Sequence, residues 1–310
     1  MHLLVPFAAV GAEMGRRALQ ELTLPGLGAL LAGASAPAFD SGDEMSLSPP
    51  HERALARALG LPGADGALPW AAHALASGGA EVGDLAWGWL TPAHWVVGTD
   101  QVTMTDPQDL ALDAAESSAL LDAVRDLFES EGFVLRHVDP LRWALAHESL
   151  AALPTASLDR VIGRSIDPWL PRGASARSLR RLQNEVQMRL HEHPINVARV
   201  ARGELPVNSF WLSGCGALGA VPTGAAPVVD DRLRGPALHE DWPAWLAAWR
   251  ALDEGPLREL ARRRGFGETV ELTLCGESGS AHWTLPPAST WRRLLGRVRA
   301  AEPVRWLEAL

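Results

Sequence analysis

The sequence predicts an α/β protein in which a larger core carries an inserted, smaller α+β lobe. Three observations lead there. Short apolar runs of strand type alternate with segments of helical period, beginning with His2 to Phe7 and then Gly11 to Leu22. At 310 residues the chain is long enough to bury a sizeable core and to hold a second lobe. Pro206 to Leu212 is too apolar for a half-exposed strand and suits one covered on both faces. The expected core is residues 1–60 and 150–310, with the lobe at 61–149.

Composition narrows the function classes. A formal charge of -9 and a pI near 5.6 argue against a general nucleic-acid or anionic-membrane binder, which needs a positive contact surface. The only cysteines, Cys215 and Cys275, each stand beside glycine and support neither a disulfide framework nor a zinc site. A reducing cytoplasm is the expected compartment. The apolar opening lacks a basic leader and meets Glu13, Arg16 and Arg17 too soon for a signal peptide or membrane span, so it reads as the first strand.

In chain order, Gly11 to Leu22 forms the first helix, and Leu27, Leu30 and Leu31 continue a second as far as Gly33. Ala34 to Asp43 reads as loop. Ser48, Pro49 and Pro50 enter the helix Ala54 to Leu59, which Gly60 ends. A helix start offers free N–H groups to an anion near His51, although a surface histidine at a Ser/Pro start is the better expectation. Trp87, Trp89 and Trp95 alternate, either as a ligand platform or as a buried sheet face, and core packing is the better expectation. Asp113 to Ser130 is the clearest helix, with Leu120, Leu121, Val124, Leu127 and Phe128 along one stripe. Phe133 to Val138 and Trp143 to Ala146 fit strands.

On the short helix expected at Ser157 to Arg164, Arg160 and Arg164 are four apart and share a face. They suit either a phosphate or carboxylate clamp or a surface pair bonded to nearby acids. Ser178 to His191 is amphipathic, and Asn184, Gln187 and His191 form a polar stripe opposite Leu182 and Val186. Pro194 starts the next helix, which carries Asn196 and Arg199, and Gly203 ends it. The strand after it empties into Ser213, Gly214, Cys215 and Gly216. Ligands gather at carboxyl ends of strands in open α/β sheets, so Asn208 to Gly216 is the expected pocket. A small buried thiol is the better reading of Cys215. Thr269 to Leu274 and Ala281 to Leu285 form a hairpin, and Trp242, Trp245 and Trp249 form a helical aromatic stripe.

Several of these segments together resemble a family. Pro49-Pro50-His51-Glu52-Arg53-Ala54, Gly83-Asp84-Leu85-Ala86-Trp87, and His193-Pro194-Ile195-Asn196 with Arg199, Gly203, Leu205 to Asn208 and Gly214-Cys215-Gly216 resemble the archaeal-type cofactor-independent phosphoglycerate mutases of the alkaline phosphatase superfamily. Leu24 to Leu30 resembles an early helix of that superfamily. The segments LSPPHERALA, GDLAWGWLTPAHW, LPTASLDRVIGR and LPVNSFWLSGCG, with the opening MHLLVPFA, are similar to bacterial regulatory proteins of RpfE type. The resemblance implies an alkaline phosphatase-like, phosphomutase-like mixed sheet flanked by helices.

Departures from the mutase pattern shape the functional expectation. The first strand runs into Pro6-Phe7-Ala8, where the mutases carry a metal-binding aspartate. Their serine nucleophile falls at His51, with Ser48 as a substitute if the loop shifts. Gly88-Trp89 stand where arginines are expected, and His239, Glu240 and Asp241 are too local to rebuild a two-metal site. The first expectation is therefore a non-catalytic regulatory protein without a cofactor. It binds a small phosphorylated or anionic metabolite through Arg160, Arg164, Asn184, Asn196, Arg199, Asn208 and Ser213 to Gly216. The second is an enzyme using His51 or Ser48 and a divalent metal. The third is a protein-interaction module using the tryptophan-rich segment.

Overall fold

The computed structural model of the protein describes residues 1–173, 176–222, 224–287 and 303–310. The chain divides into two units. One comprises Met1–Met45, Pro49–Gly60 and Gly224–Leu310, and the other Ser46–Ser48 and Leu61–Thr223. The inserted unit thus extends well past the expected boundary at 149. Residues 150–222 fall within it because the strand at Ser209–Gly216 pairs inside that unit's own sheet.

The first unit opens with β1 (His2–Val5), α1 (Glu13–Gln20), α2 (Pro25–Leu31), β2 (Ala38–Ser41) and α3 (Pro50–Leu59). The second unit follows with α4 (Trp70–Ser77), β3 (Trp87–Ala93), a hairpin of β4 (Trp95–Val97) and β5 (Val102–Met104), α5 (Ala114–Glu129), β6 (Val134–Asp139), β7 (Arg142–Ala146), α6 (Leu158–Val161), α7 (Ala176–His191), α8 (Pro194–Ala201) and β8 (Ser209–Gly216). The chain then returns to the first unit through β9 (Val228–Val229), α9 (Arg234–Leu238), α10 (Trp242–Leu252), a π-turn at Asp253–Leu257, α11 (Arg258–Gly265), β10 (Val270–Cys275) and β11 (Gly279–Leu285).

In the first unit five strands form a mixed sheet in the order β2-β11-β10-β1-β9. β1 runs parallel to β9 and β10, and β11 runs antiparallel to β10 and β2. Period-two alternation sends Leu3, Val5, Leu272, Leu274, Ala281 and Trp283 to one face, where Leu19, Leu27, Trp245, Trp249 and Leu260 from α1, α2, α10 and α11 cover them. Full burial of each such leucine contributes about 2 kcal/mol. On the other face α3 lays Ala54 and Leu55 over Leu4 and Cys275. β2, expected to be loop, pairs only with β11 and is largely exposed, so no hydrophobic period marks it.

In the second unit the sheet is antiparallel throughout, ordered β6-β7-β3-β8. One face packs Leu90, Leu145 and Leu212 against α5 and α7 through Leu120, Val124, Leu182 and Val186. α4 sets Ala71, Ala72 and Leu75 over Trp87, Ala144 and Ala146 on the opposite face. Asp113 caps α5 by accepting from the Glu116 N–H at 2.8 Å. The Trp87 indole donates to Val82 O at 2.8 Å while the Arg136 guanidinium stacks 4.7 Å from its ring, so this tryptophan is a core residue.

Candidate functional site

The alternation that sends apolar side chains to one face of the five-stranded sheet sends polar ones to the other. His2 of β1, Glu271 and Thr273 of β10, and Ser280, His282 and Thr284 of β11 share the face that carries α3. α3 covers only the half bearing Leu4 and Cys275. The uncovered half lines a cavity of about 640 Å³, completed by Asp40 of β2, Arg57 of α3 and Ala225–Ala226. That volume suits a small metabolite.

The floor of this cavity is a hydrogen-bonded relay. His2 Nε2 lies 2.8 Å from Thr273 Oγ1, and the same hydroxyl lies 2.9 Å from His282 Nδ1. A threonine hydroxyl has one proton, so it donates to one ring and accepts from the other, which fixes the two imidazoles in complementary tautomers. Glu271 stands 3.5 Å from His2 Nδ1. Burial lowers the His2 pKa below its ordinary 6.5, and the neighbouring His282 lowers it further, against the opposing pull of Glu271. The ring is therefore neutral at neutral pH. At the opposite corner Asp40 accepts from Arg53 Nε at 3.1 Å and from Arg57 Nη2 at 2.8 Å. Burial on its own would raise the Asp40 pKa, but the two guanidinium groups together hold it below its ordinary 3.8.

Where β1 ends, the chain turns at Phe7, whose φ of 55° is unusual for a residue with a side chain. The Phe7 carbonyl accepts from Trp245 Nε1 at 3.1 Å, and Ala8 N–H donates to Cys275 O at 2.7 Å. The Phe7 ring packs 5.3 Å from His51 at the start of α3. An aromatic pair thus fills the end of β1. Among the described residues no three metal-ligating side chains converge.

The expected site residues are engaged elsewhere, mostly with the protein's own backbone. Ser48 is buried in the second unit, where its Oγ accepts from Gly66 N–H at 2.9 Å. Asn196 is buried, donates to Leu190 O and Val207 O, and accepts from Val207 N–H. Arg199 is fully buried, donates to Leu205 O at 2.9 Å and to Leu110 O, and pairs with Glu116. Asn208 pairs with both main-chain groups of Trp95, at 2.8 and 2.9 Å. Asn184 is exposed on α7.

Two expectations about geometry are corrected. Arg160 and Arg164 do not share a helix face, because α6 stops at Val161 and the chain extends so that Ile162 bridges to Met104. Arg160 is buried beneath Trp169 and bonded to Ser46 Oγ at 2.9 Å, whereas Arg164 is exposed. Ser213 to Gly216 is not a turn at the end of a parallel strand, since β8 runs antiparallel to β3 and these residues belong to its ladder. An extra residue on β8 makes a bulge there. Gly214 takes φ 62°, and a Cβ on it would come within 3.0 Å of Trp70 Cβ. Cys215 is buried against Gly88, and burial pushes its thiol up to about 12, so it is no nucleophile at neutral pH.

The cavity residues His2, Asp40, Arg57, Glu271, Thr273 and His282 were not singled out in the sequence. The available signal was the polar alternation within three strands. Its convergence depends on which strands become neighbours.

No family profile matches the chain. Over 121 residues it is 28% identical to a probable 2,3-bisphosphoglycerate-independent phosphoglycerate mutase of Geobacter sulfurreducens, covering 37% of this chain and 29% of that protein. Over 101 residues it is 32% identical to a 2,3-bisphosphoglycerate-independent phosphoglycerate mutase of Methanothrix thermoacetophila, covering 30% of this chain and 24% of that one. The chain therefore spans less than a third of the length of the relatives it matches. Among solved structures, a cofactor-independent phosphoglycerate mutase from Thermoplasma acidophilum overlays 91% of this chain and 89% of its own, at 15% identity and a TM-score of 0.36. The PH0037 protein of Pyrococcus horikoshii overlays 91% and 87%, at 10% identity and a TM-score of 0.41. The chain is thus similar, in part of its length, to 2,3-bisphosphoglycerate-independent phosphoglycerate mutases.

Proposed function

We propose that this chain is a non-catalytic regulatory protein that binds a phosphorylated metabolite on a phosphoglycerate mutase-like scaffold, in keeping with its resemblance to regulatory proteins of RpfE type. The observation that carries the reading is the Phe7–His51 pair, which occupies the strand end where mutase chemistry would need a carboxylate and a serine. The cavity on the polar half of the sheet is the ligand site. Arg57 lines it and, among the described residues, spends only Nη2 on Asp40 and Ser280, with Nε and Nη1 offered to an anion. The neutral His2 ring and the Thr273 hydroxyl supply hydrogen bonds without adding charge. We place this activity in the cytoplasm. Among the described residues no helix is long and apolar enough to cross a membrane.

Titration calorimetry with 3-phosphoglycerate and a set of phosphosugars is expected to give saturable heat, reduced at least tenfold in affinity by Arg57→Ala. Absence of heat from every phosphorylated ligand would remove the binding reading. Manganese-dependent mutase turnover that disappears in His51→Ala would replace it with catalysis. The interaction-module alternative loses support, because Trp245, Trp249 and Trp283 are buried in the first unit's core.

A further inference from the structure

We infer that the ligand of this cavity is a zwitterion, carrying an ammonium group as well as its phosphate or carboxylate. The inference rests on the reading of the cavity as the ligand site and adds the chemical class of the ligand.

The cavity is dipolar. At one end Glu271 keeps a half-exposed carboxylate that lies 3.5 Å from Nδ1 of the neutral His2 ring. At the other end Asp40 is shared between Arg53 and Arg57, and among the described residues no protein acceptor takes the Nε and Nη1 donors of Arg57. The pairing register sets the distance between the two ends. Glu271 lies opposite Thr284, and Asp40 lies opposite Ser280, four residues along β11. At ~3.4 Å per residue that is about 14 Å along the strand, and because β10 and β2 flank β11 on opposite sides, about 10 Å more across the sheet. Glu271 and Arg57, both long side chains, line the same cavity. His2, Thr273 and His282 lie between the two ends with hydrogen-bonding groups.

A ligand with only negative charge would satisfy Arg57 and leave Glu271 as a like charge in the same partly desolvated space. A ligand with only positive charge would do the reverse. An ammonium set against Glu271, on the molecule whose phosphate meets Arg57, satisfies both ends at once.

The test compares O-phosphoserine with 3-phosphoglycerate, which differ chiefly in an ammonium replacing a hydroxyl, by calorimetric titration of the full chain. Phosphoserine is expected to bind at least about tenfold more tightly. Glu271→Gln should erase that preference, and Arg57→Gln should weaken both ligands. Both side chains are substantially exposed, and thermal unfolding of each variant verifies that it is folded. Equal or tighter binding of phosphoglycerate to the unmodified protein overturns the zwitterion, as does a preference that survives in Glu271→Gln, and both leave the phospho-ligand reading standing. No heat from either compound overturns the zwitterion, and no heat from the phosphosugars as well removes the phospho-ligand reading with it.

Discussion

His2 shows how much a single residue depends on its neighbours. Its folded pKa lies below the ordinary 6.5, chiefly because burial disfavours the imidazolium. Between the folded and unfolded values the unfolded chain binds more protons, so this contribution to stability is complete above about pH 6.5 and is lost as pH falls through the folded value. Thermal unfolding of the protein is therefore expected to shift downward on acidification below 6.5, and His2→Gln should flatten that part of the profile. An unchanged slope in the variant would assign the effect to another group. Arg199 makes the complementary point. Its position in a motif shared with the mutases suggested an anion contact, yet its donors go to Leu110 O, Leu205 O and Glu116. Helix spacing fixes which residues share a face, but not whether that face meets a ligand or another loop of the same chain.

Among the elements, α2 is held at both ends by residues more than two hundred positions away. The buried Asp253 carboxylate accepts from Gly26 N–H at 2.8 Å and Leu27 N–H at 2.7 Å, doing for the helix start what a local cap does elsewhere. Gly26 is required there, because a Cβ would sit 2.3 Å from Asp253 O. At the other end Arg264 donates to Leu30 O at 2.6 Å and Ala32 O at 3.0 Å. Asp253→Ala leaves two helix-start N–H groups buried without acceptors and is expected to cost about 2–3 kcal/mol, measured by chemical denaturation. A loss below ~0.5 kcal/mol would show that water replaces the carboxylate. The sequence located α2 through Leu27, Leu30 and Leu31, while both of its caps are tertiary.

For the whole molecule, the two units own separate cores. One core draws on residues between Leu3 and Leu31 and again from Leu233 onward, and the other lies wholly between Ala86 and Cys215. A fragment of residues 61–223 is therefore expected to unfold cooperatively on its own, followed by near-ultraviolet circular dichroism. It should be weaker than the intact unit by on the order of 1–3 kcal/mol. The cause is the loss of Ser46–Ser48, whose backbone N–H groups at Leu47 and Ser48 donate to Asp65 at 2.9 and 2.8 Å. A non-cooperative melt would show that the second core depends on the first unit.

What the sequence determined by itself is the inventory of strongly periodic elements: β1, α5, α7, β6, β7, β10 and β11, the burial of Trp87, Trp95, Trp245, Trp249 and Cys215, and the partial likeness to phosphoglycerate mutases. Periodicity is local, so a window of a dozen residues suffices to read it. Only the tertiary structure decided that β8 pairs antiparallel within the inserted unit, that Arg160 and Arg164 part company, and that polar residues from β1, β10 and β11 meet around one cavity. Those outcomes depend on pairing between segments up to 271 residues apart, as in the His2–Thr273 contact. No local pattern encodes which strands become neighbours, because that is set by the packing of the whole core.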